Sequence, residues 1–324
     1  MARSDPVSSS TVKQRLLWLR RMPSAALRFD KSNMKRSYKV VDVFTNRPLR
    51  GNPVAVLLDA EGLDAEGMQA IARWTNLSET TFVLPPTTSE ADYRLRIFTP
   101  RSELPFAGHP TIGSAYALLE AERVAMRPNG RLVQECSVGL VDLTVGELNG
   151  KRQISFRLPG AQVEEMEAAD VAQLTAIVGR KVNEKTSPAI LNVGPRWIIA
   201  QMHDADSVLN LQPDFAELAK LELRLGVTGL TVFGAFQNGE TDIEVRTFAP
   251  SCGVEEDPVC GSGNASVASF QWARGMLPAV GRTYVASQGG RVGRAGKVHV
   301  SVDGHGDVNI GGVCVTCIDG HFEL

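Results

Sequence analysis

Five side chains in this sequence are of types that move protons or hold anions, and four of them fall in two short stretches. His109 stands in "LPFAGHPTIGSA", while Asp257, Cys260 and Ser262 stand in "EEDPVCGSGNA". A histidine can give or take a proton near neutral pH, although a lone one is more often a hydrogen-bonding loop residue. Asp257, followed by Pro258, is placed to orient or cap the second loop. Cys260 directly precedes a helix start, where the dipole is expected to lower its thiol pKa. Ser262 offers a donor for an anion, or simply another cap. The fifth residue, Glu79, lies in "NLSETTF" at a helix-to-strand switch, beside apolar Leu77, Phe82 and Val83. A carboxylate there is partly desolvated and its pKa rises into a range useful for acid–base work. The alternative is an exposed acid at a turn.

The two loops repeat one another. Displaced by 150 positions, Phe98 falls on Phe248, Pro100 on Pro250, Gly113 on Gly263 and Ala115 on Ala265. Each stretch reads as a strand, a loop and a helix start, whose free N–H groups and positive dipole end favour an anion. Two such ends facing across a cleft make a site for a small carboxylate. Gly261 and Gly263 would let the backbone approach that ligand, or they serve only helix–sheet packing.

The elements that must hold these loops recur in the same order. "YKVVDVF" and "LRGNPVAVLL" read as strands, and "LDAEGMQAIARWTN" carries Met68, Ile71, Ala72 and Thr75 at helical spacing up to Asn76. "TTFVLPP" and "YRLRIFT" resume as strands before the first loop and its helix, where Pro110 suits the first turn. Strand-like runs follow at Leu140–Val145 and Gln153–Leu158, and "PGAQVEEMEAAD" is the candidate boundary. The second half offers "RWIIA", "GLTVFGAF" and "DIEVRTF" as strands, with helices in "PDFAELAKLELRLG" and "SGNASVASFQWARG". From Thr283 the tail reads as short strands with glycine turns. The pattern predicts a mixed α/β duplication with lobes over 36–158 and 159–324, the last strands free to cross back to the first lobe.

Composition narrows the function. With 324 residues, 43% hydrophobic and 22% charged, the chain is long enough for two lobes with a sizeable core. A net charge of −2 gives no reason to expect nucleic acid or an anionic membrane, and no run of 18 apolar residues exists. Five cysteines at irregular spacing suggest a reducing, cytoplasmic setting. Cys314 and Cys317 in "GGVCVTCIDG" sit three apart in a strand-like run, on opposite faces, and read as core residues, since no further ligands for a metal are evident. Residues 1–35 are set apart as a disordered, targeting or mis-assigned extension. Residues 1–33 are Arg- and Ser-rich with Asp5 the one acid before Asp30, which fits an organelle transit peptide or an upstream start ahead of Met34. "GSGNAS" lacks the third glycine of a dinucleotide loop, and no phosphate loop or nucleophile elbow is present. Acid–base chemistry without cofactor or metal is what remains.

Taken together, "VDVFTNRPLRGNPVAV", "NLSETTFV", "FTPRSELPFAGHPTIGSA" and "RTFAPSCGVEEDPVCGSGNA" resemble the phenazine-biosynthesis PhzF-like isomerase family, from about Tyr38 to the C-terminus. The resemblance implies two pseudo-symmetric lobes with the diaminopimelate epimerase fold, each a barrel-like sheet around a central helix, and a homodimer. It implies Glu79 as the acid/base that moves a proton between carbons of a small cyclic or unsaturated carboxylate, a dihydro-hydroxyanthranilate in the named member. His109 then matches the active-site histidine, and Asp257 and Ser262 match polar residues that help bind and orient the substrate. Glu79, His109 and Asp257 are thus the expected catalytic residues, and Ser262, Gly108, Gly261, Gly263 and Cys260 the expected substrate-binding ones. Cys260 departs from the family's usual threonine. In the related epimerases a cysteine there works with a second thiol, whose position falls on Gly108, so a two-thiol pair is not assembled. The alternatives are an amino-acid epimerase or racemase using Cys260, and a non-catalytic small-molecule-binding protein.

Overall fold

The computed structural model describes residues 35–158, 160–183 and 185–324. The reading of residues 1–33 as a targeting segment or upstream extension lies outside them. The first lobe is built from β1 (Lys35–Val43), β2 (Asn52–Leu57), α1 (Ala65–Thr75), β3 (Glu79–Leu84), β4 (Tyr93–Phe98), β5 (Glu103–Leu104), α2 (Gly108–Glu120), β6 (Arg131–Cys136), β7 (Gly139–Leu148) and β8 (Lys151–Leu158). The second runs through β9 (Val163–Glu165), α3 (Ala168–Val178), β10 (Ala189–Asn192), β11 (Arg196–Gln201), α4 (Ala205–Leu209), α5 (Phe215–Leu225), β12 (Gly229–Ala235), β13 (Ile243–Ala249), β14 (Val254–Asp257), α6 (Gly261–Ala273), β15 (Arg282–Gln288), β16 (Gly296–Val302) and β17 (Val308–Glu323).

Local chemistry sets many of these ends. Asp64 caps α1 by accepting from the Gly67 amide at 2.8 Å, and the helix stops at Asn76, which takes a left-handed φ of 54°. Met68, Ile71 and Ala72 are buried as the spacing predicts. Asp214 caps α5 in the same way, accepting from the amides of Ala216 and Glu217. α3 begins inside the stretch expected to be a linker; its buried stripe is short, Leu174, Ile177 and Val178.

Strand pairing closes the first lobe into a ring. The order is β1, β2, β3, β4, β6, β7, β8 and β17, and β17 pairs back with β1. The two parallel steps, β2–β3 and β4–β6, are spanned by α1 and α2, since parallel neighbours need a crossover. The second lobe repeats this with parallel steps β11–β12 and β13–β15, spanned by α4 with α5 and by α6. Its strands run β9, β10, β11, β12, β13, β15, β16, β17, and among the described residues β9 and β17 do not pair.

The tail departs from its expected form. β17 is one strand of 16 residues, and its glycines are not turns. A Cβ at Gly312 would come within 2.6 Å of the Phe44 ring, and one at Gly311 within 2.6 Å of Ser155, so both permit close approach. The first half of β17 pairs with β16 and β8, and the second half pairs with β1, so the strand runs from one lobe into the other.

α2 and α6 are the central helices. α2 packs against β1, β2, β3, β8 and β17, and α6 against β10, β11, β12, β16 and β17. Nearly every residue of both is buried, which is how a helix without a polar face must sit. No described helix is long and apolar enough to cross a membrane.

Candidate active site

Glu79 opens β3 and His109 stands in the first turn of α2, beside it. His109 Nε2 lies 3.3 Å from Glu79 Oε2. Neither atom has a hydrogen-bond partner among the described residues. Glu79 is 16% exposed at its side chain, which leaves a ligand access while most water is excluded. Burial pushes its carboxyl up to about 7, against a smaller opposing effect from a hydrogen bond with Ser78. Burial likewise pushes His109 down to about 4, with Asp257 and a hydrogen bond to the Pro53 backbone opposing. At neutral pH the histidine is uncharged and the carboxyl is poised between its two forms.

The second loop brings its residues to the same place. Asp257 ends β14, and its Oδ1 accepts from the Val259 amide at 3.1 Å. Its carboxyl is raised by burial and by the nearby Glu79, with His109 acting against. Cys260 is the N-cap of α6, its Sγ accepting from the Gly263 amide at 3.3 Å. Ser262 Oγ accepts from Trp197 Nε1 at 3.1 Å and sits 3.6 Å from Cys260 Sγ. The two helix starts adjoin: a Cβ on Gly261 would lie 3.6 Å from the His109 amide and 3.9 Å from Gly108 Cα. The first amides of each helix, at Gly108, His109, Gly261 and Ser262, have no intrahelical acceptor.

Several expectations need correction. The Cys260 thiol is pushed well above its ordinary range, first by burial and then by the charge of Asp257, and these outweigh the helix end. Gly263 packs closely on its Cβ side, where a Cβ would sit 2.7 Å from Thr247 Oγ1 and 2.8 Å from Thr231 Oγ1. Gly108 also packs tightly, its Cβ meeting the Phe156 ring at 2.8 Å, whereas Gly261 has room. The repeat keeps its offset of 150 on the strands, but the helices start at Gly108 and Gly261, an offset of 153. Gly113 is therefore the sixth residue of its helix and Gly263 the third. The N-cap matching Cys260 is Ala107, not Gly108.

Two further residues of the site were not among the candidates. Buried Asn52, in "RGNPV", donates from Nδ2 to Asp257 Oδ1 and to the Val259 carbonyl, each at 2.9 Å, and lies 3.4 Å from His109 Nδ1. It ties the two loops together. Gln288 accepts through Oε1 from the Cys260 amide at 3.1 Å and donates through Nε2 to the Asp257 carbonyl at 3.0 Å. Asn52 lies inside the motif "VDVFTNRPLRGNPVAV", where its signal was available, whereas nothing marks Gln288.

The family model described as phenazine biosynthesis-like protein, PhzC-PhzF, matches residues 41–320. The chain belongs to that family. It is 42% identical over 294 residues to antisense-enhancing sequence 1 of Schizosaccharomyces pombe, covering 88% of this chain and 98% of that protein. It is 34% identical over 271 residues to trans-2,3-dihydro-3-hydroxyanthranilate isomerase of Pseudomonas aeruginosa, covering 83% and 91%. The crystal structure of the Bacillus anthracis PhzF-family protein superposes with a TM-score of 0.80 at 24% identity, covering 90% of this chain and 99% of that one. The fold is the two-lobed, diaminopimelate-epimerase-like one that the resemblance implies. The enzyme class is isomerase.

Proposed function

We propose that this isomerase moves a proton between two carbons of a small unsaturated carboxylate, with Glu79 as the single acid/base. The observation that carries the reading is a carboxyl raised to about 7 beside an uncharged histidine, at the meeting of two helix N-termini. As carboxylate, Glu79 takes the proton from one carbon and its C–H electrons shift the double bond. As neutral acid it returns the same proton to the other carbon, so atoms and charge balance without a cofactor. A pKa near the working pH makes both forms accessible. His109 stays neutral and hydrogen-bonds rather than ionises. Asp257 orients it through Asn52, and the free amides of Gly108, His109, Gly261 and Ser262 receive the substrate carboxylate.

Racemisation by two bases is disfavoured, since Cys260 keeps its proton and the matching N-cap is Ala107. The test is proton NMR in D₂O with trans-2,3-dihydro-3-hydroxyanthranilate, comparing the wild-type chain with Glu79→Gln. Wild type is expected to shift the double bond, and the variant, still folded, to slow by about 10²–10⁴-fold. Full activity in the variant removes Glu79 from the chemistry. Deuterium entering one carbon without a double-bond shift, abolished by Cys260→Ala, makes the enzyme an epimerase.

A further inference from the structure

The duplication puts one pair of side chains at matching places in each lobe, and the two pairs differ in kind. Thr80 lies opposite Phe98 where β3 meets β4, and Leu230 lies opposite Phe248 where β12 meets β13, so the position matching Glu79 is Gly229. The helix starts match Gly108 with Gly261, and therefore His109 with Ser262. In the first lobe the pair is Glu79 and His109, 3.3 Å apart. The second lobe has no side chain at the base position. A Cβ on Gly229 would come within 2.1 Å of the Phe248 carbonyl oxygen and 2.7 Å of Trp197 Cζ3, so backbone and indole leave no room for one. Trp197 is the neighbour of Gly229 across the β11–β12 step, and its Nε1 donates to Ser262 Oγ at 3.1 Å. The indole is 4% exposed, while Ser262 is half-buried. Both members of the first pair can take and give a proton. An indole N–H only donates, so the second pair cannot shuttle protons.

We infer that Trp197 is a positioning residue that fixes Ser262 as a hydrogen-bond donor to the substrate carboxylate. The second lobe is then the holding half of a site whose first lobe moves the proton. This rests on the reading that the start of α6 receives that carboxylate. Because the indole can only donate, Ser262 Oγ accepts from it, and the serine hydrogen is directed away from the ring. The other polar neighbour of Ser262 Oγ among the described residues is Cys260 Sγ at 3.6 Å, a weak acceptor. A carboxylate is a stronger one and takes the hydrogen in a charge-assisted bond. Without the indole N–H the hydroxyl is free to turn a lone pair toward the ligand, which repels an anion.

Benzoate, a planar ring carboxylate that the enzyme cannot isomerise, is the probe. Its affinity for the full-length protein is read from the broadening of its ring proton lines, which needs no turnover. Trp197→Phe keeps much of the ring and loses the N–H, and is expected to bind benzoate about tenfold more weakly, the scale of one hydrogen bond. Ser262→Ala is expected to weaken it by a similar factor, and the double variant to be no weaker than Ser262→Ala, because Trp197 acts through Ser262. A second measurement leaves the indole in place. In protein labelled with ¹⁵N-tryptophan, the Trp197 Nε1–H resonance is expected to move as benzoate saturates wild type, and to move far less in Ser262→Ala. Benzoate binding weakened by Ser262→Ala but not by Trp197→Phe overturns the role of Trp197 and leaves the carboxylate site standing. Effects that multiply in the double variant overturn it as well, since the indole then acts by packing alone. Wild type that binds no benzoate, or Ser262→Ala that binds it as wild type does, removes both the role of Trp197 and the carboxylate site.

Discussion

At the residue scale, one carboxyl joins chemistry to stability. Glu79 has its pKa raised from 4.5 to about 7 by burial, so the folded chain holds its proton more tightly than the unfolded chain. The resulting stabilisation is fully present below 4.5 and is lost as pH rises through about 7. Glu79→Gln, which cannot ionise, is therefore expected to melt higher than wild type at pH 8 and close to it at pH 4, read by calorimetry at both values. The same pKa predicts that turnover limited by proton removal rises with pH through about 7 and then levels. Cys260 offers a contrasting test. Its thiol is buried and stays protonated, whereas Cys252 is exposed. Iodoacetamide at pH 7.5 is expected to label Cys252 and spare Cys260 in the native chain, with mass spectrometry of peptides as readout. Rapid native labelling of Cys260 would revive a thiol-based reaction.

At the scale of elements, the duplication is visible as a shared brace. In each lobe the strand before the loop carries an arginine that grips a glutamate across the following short strand. Arg96 donates from Nε and Nη2 to Glu103, both at 2.7 Å, and Arg246 donates to Glu256 at 2.9 and 2.7 Å. Each guanidinium also lies over a phenylalanine, Phe98 at 5.1 Å and Phe248 at 4.8 Å. Their surroundings differ. The Arg246–Glu256 side chains are 6% and 8% exposed, and those of Arg96–Glu103 are 27% and 34%. Removing one partner of the buried pair strands a charge, so Glu256→Gln is expected to cost about 3–5 kcal/mol. Glu103→Gln, near solvent, is expected to cost about 1 kcal/mol or less. Urea titration of the two variants checks the ranking. Equal costs would mean the brace does not depend on burial. Because Glu256 adjoins Asp257, its loss is also expected to lower activity more than loss of Glu103.

For the whole molecule, β17 makes the lobes one structure. It completes the first ring against β1 and β8 and is the last strand of the second sheet. Two lobes that share a strand cannot open independently. A single urea transition is expected, with tryptophan emission and far-UV circular dichroism coinciding. A chain ending at Gly312 keeps most of the β8 pairing but loses the register from Cys314 to Glu323 with β1. It is expected to lose cooperative unfolding altogether. Two separated transitions in the full chain would show that the strand does not couple the lobes.

What the amino-acid order determined alone is what acts over a few residues. The Asp64 cap, the left-handed Asn76 and the spacing of Met68, Ile71 and Ala72 define α1 without reference to the rest. The repeated loops announced two like lobes, and the four motifs together carried the family. The tertiary structure decided whatever depends on residues far apart in the chain. Asn52 reaches Asp257 across 205 positions, and β17 meets β1 from the other end of the molecule. Such contacts leave no local period. Burial decided the rest: it set the direction of the Cys260 thiol against the helix end and brought the Glu79 carboxyl to about 7. Desolvation is a property of everything packed around a group, so no stretch of neighbours in the chain encodes it.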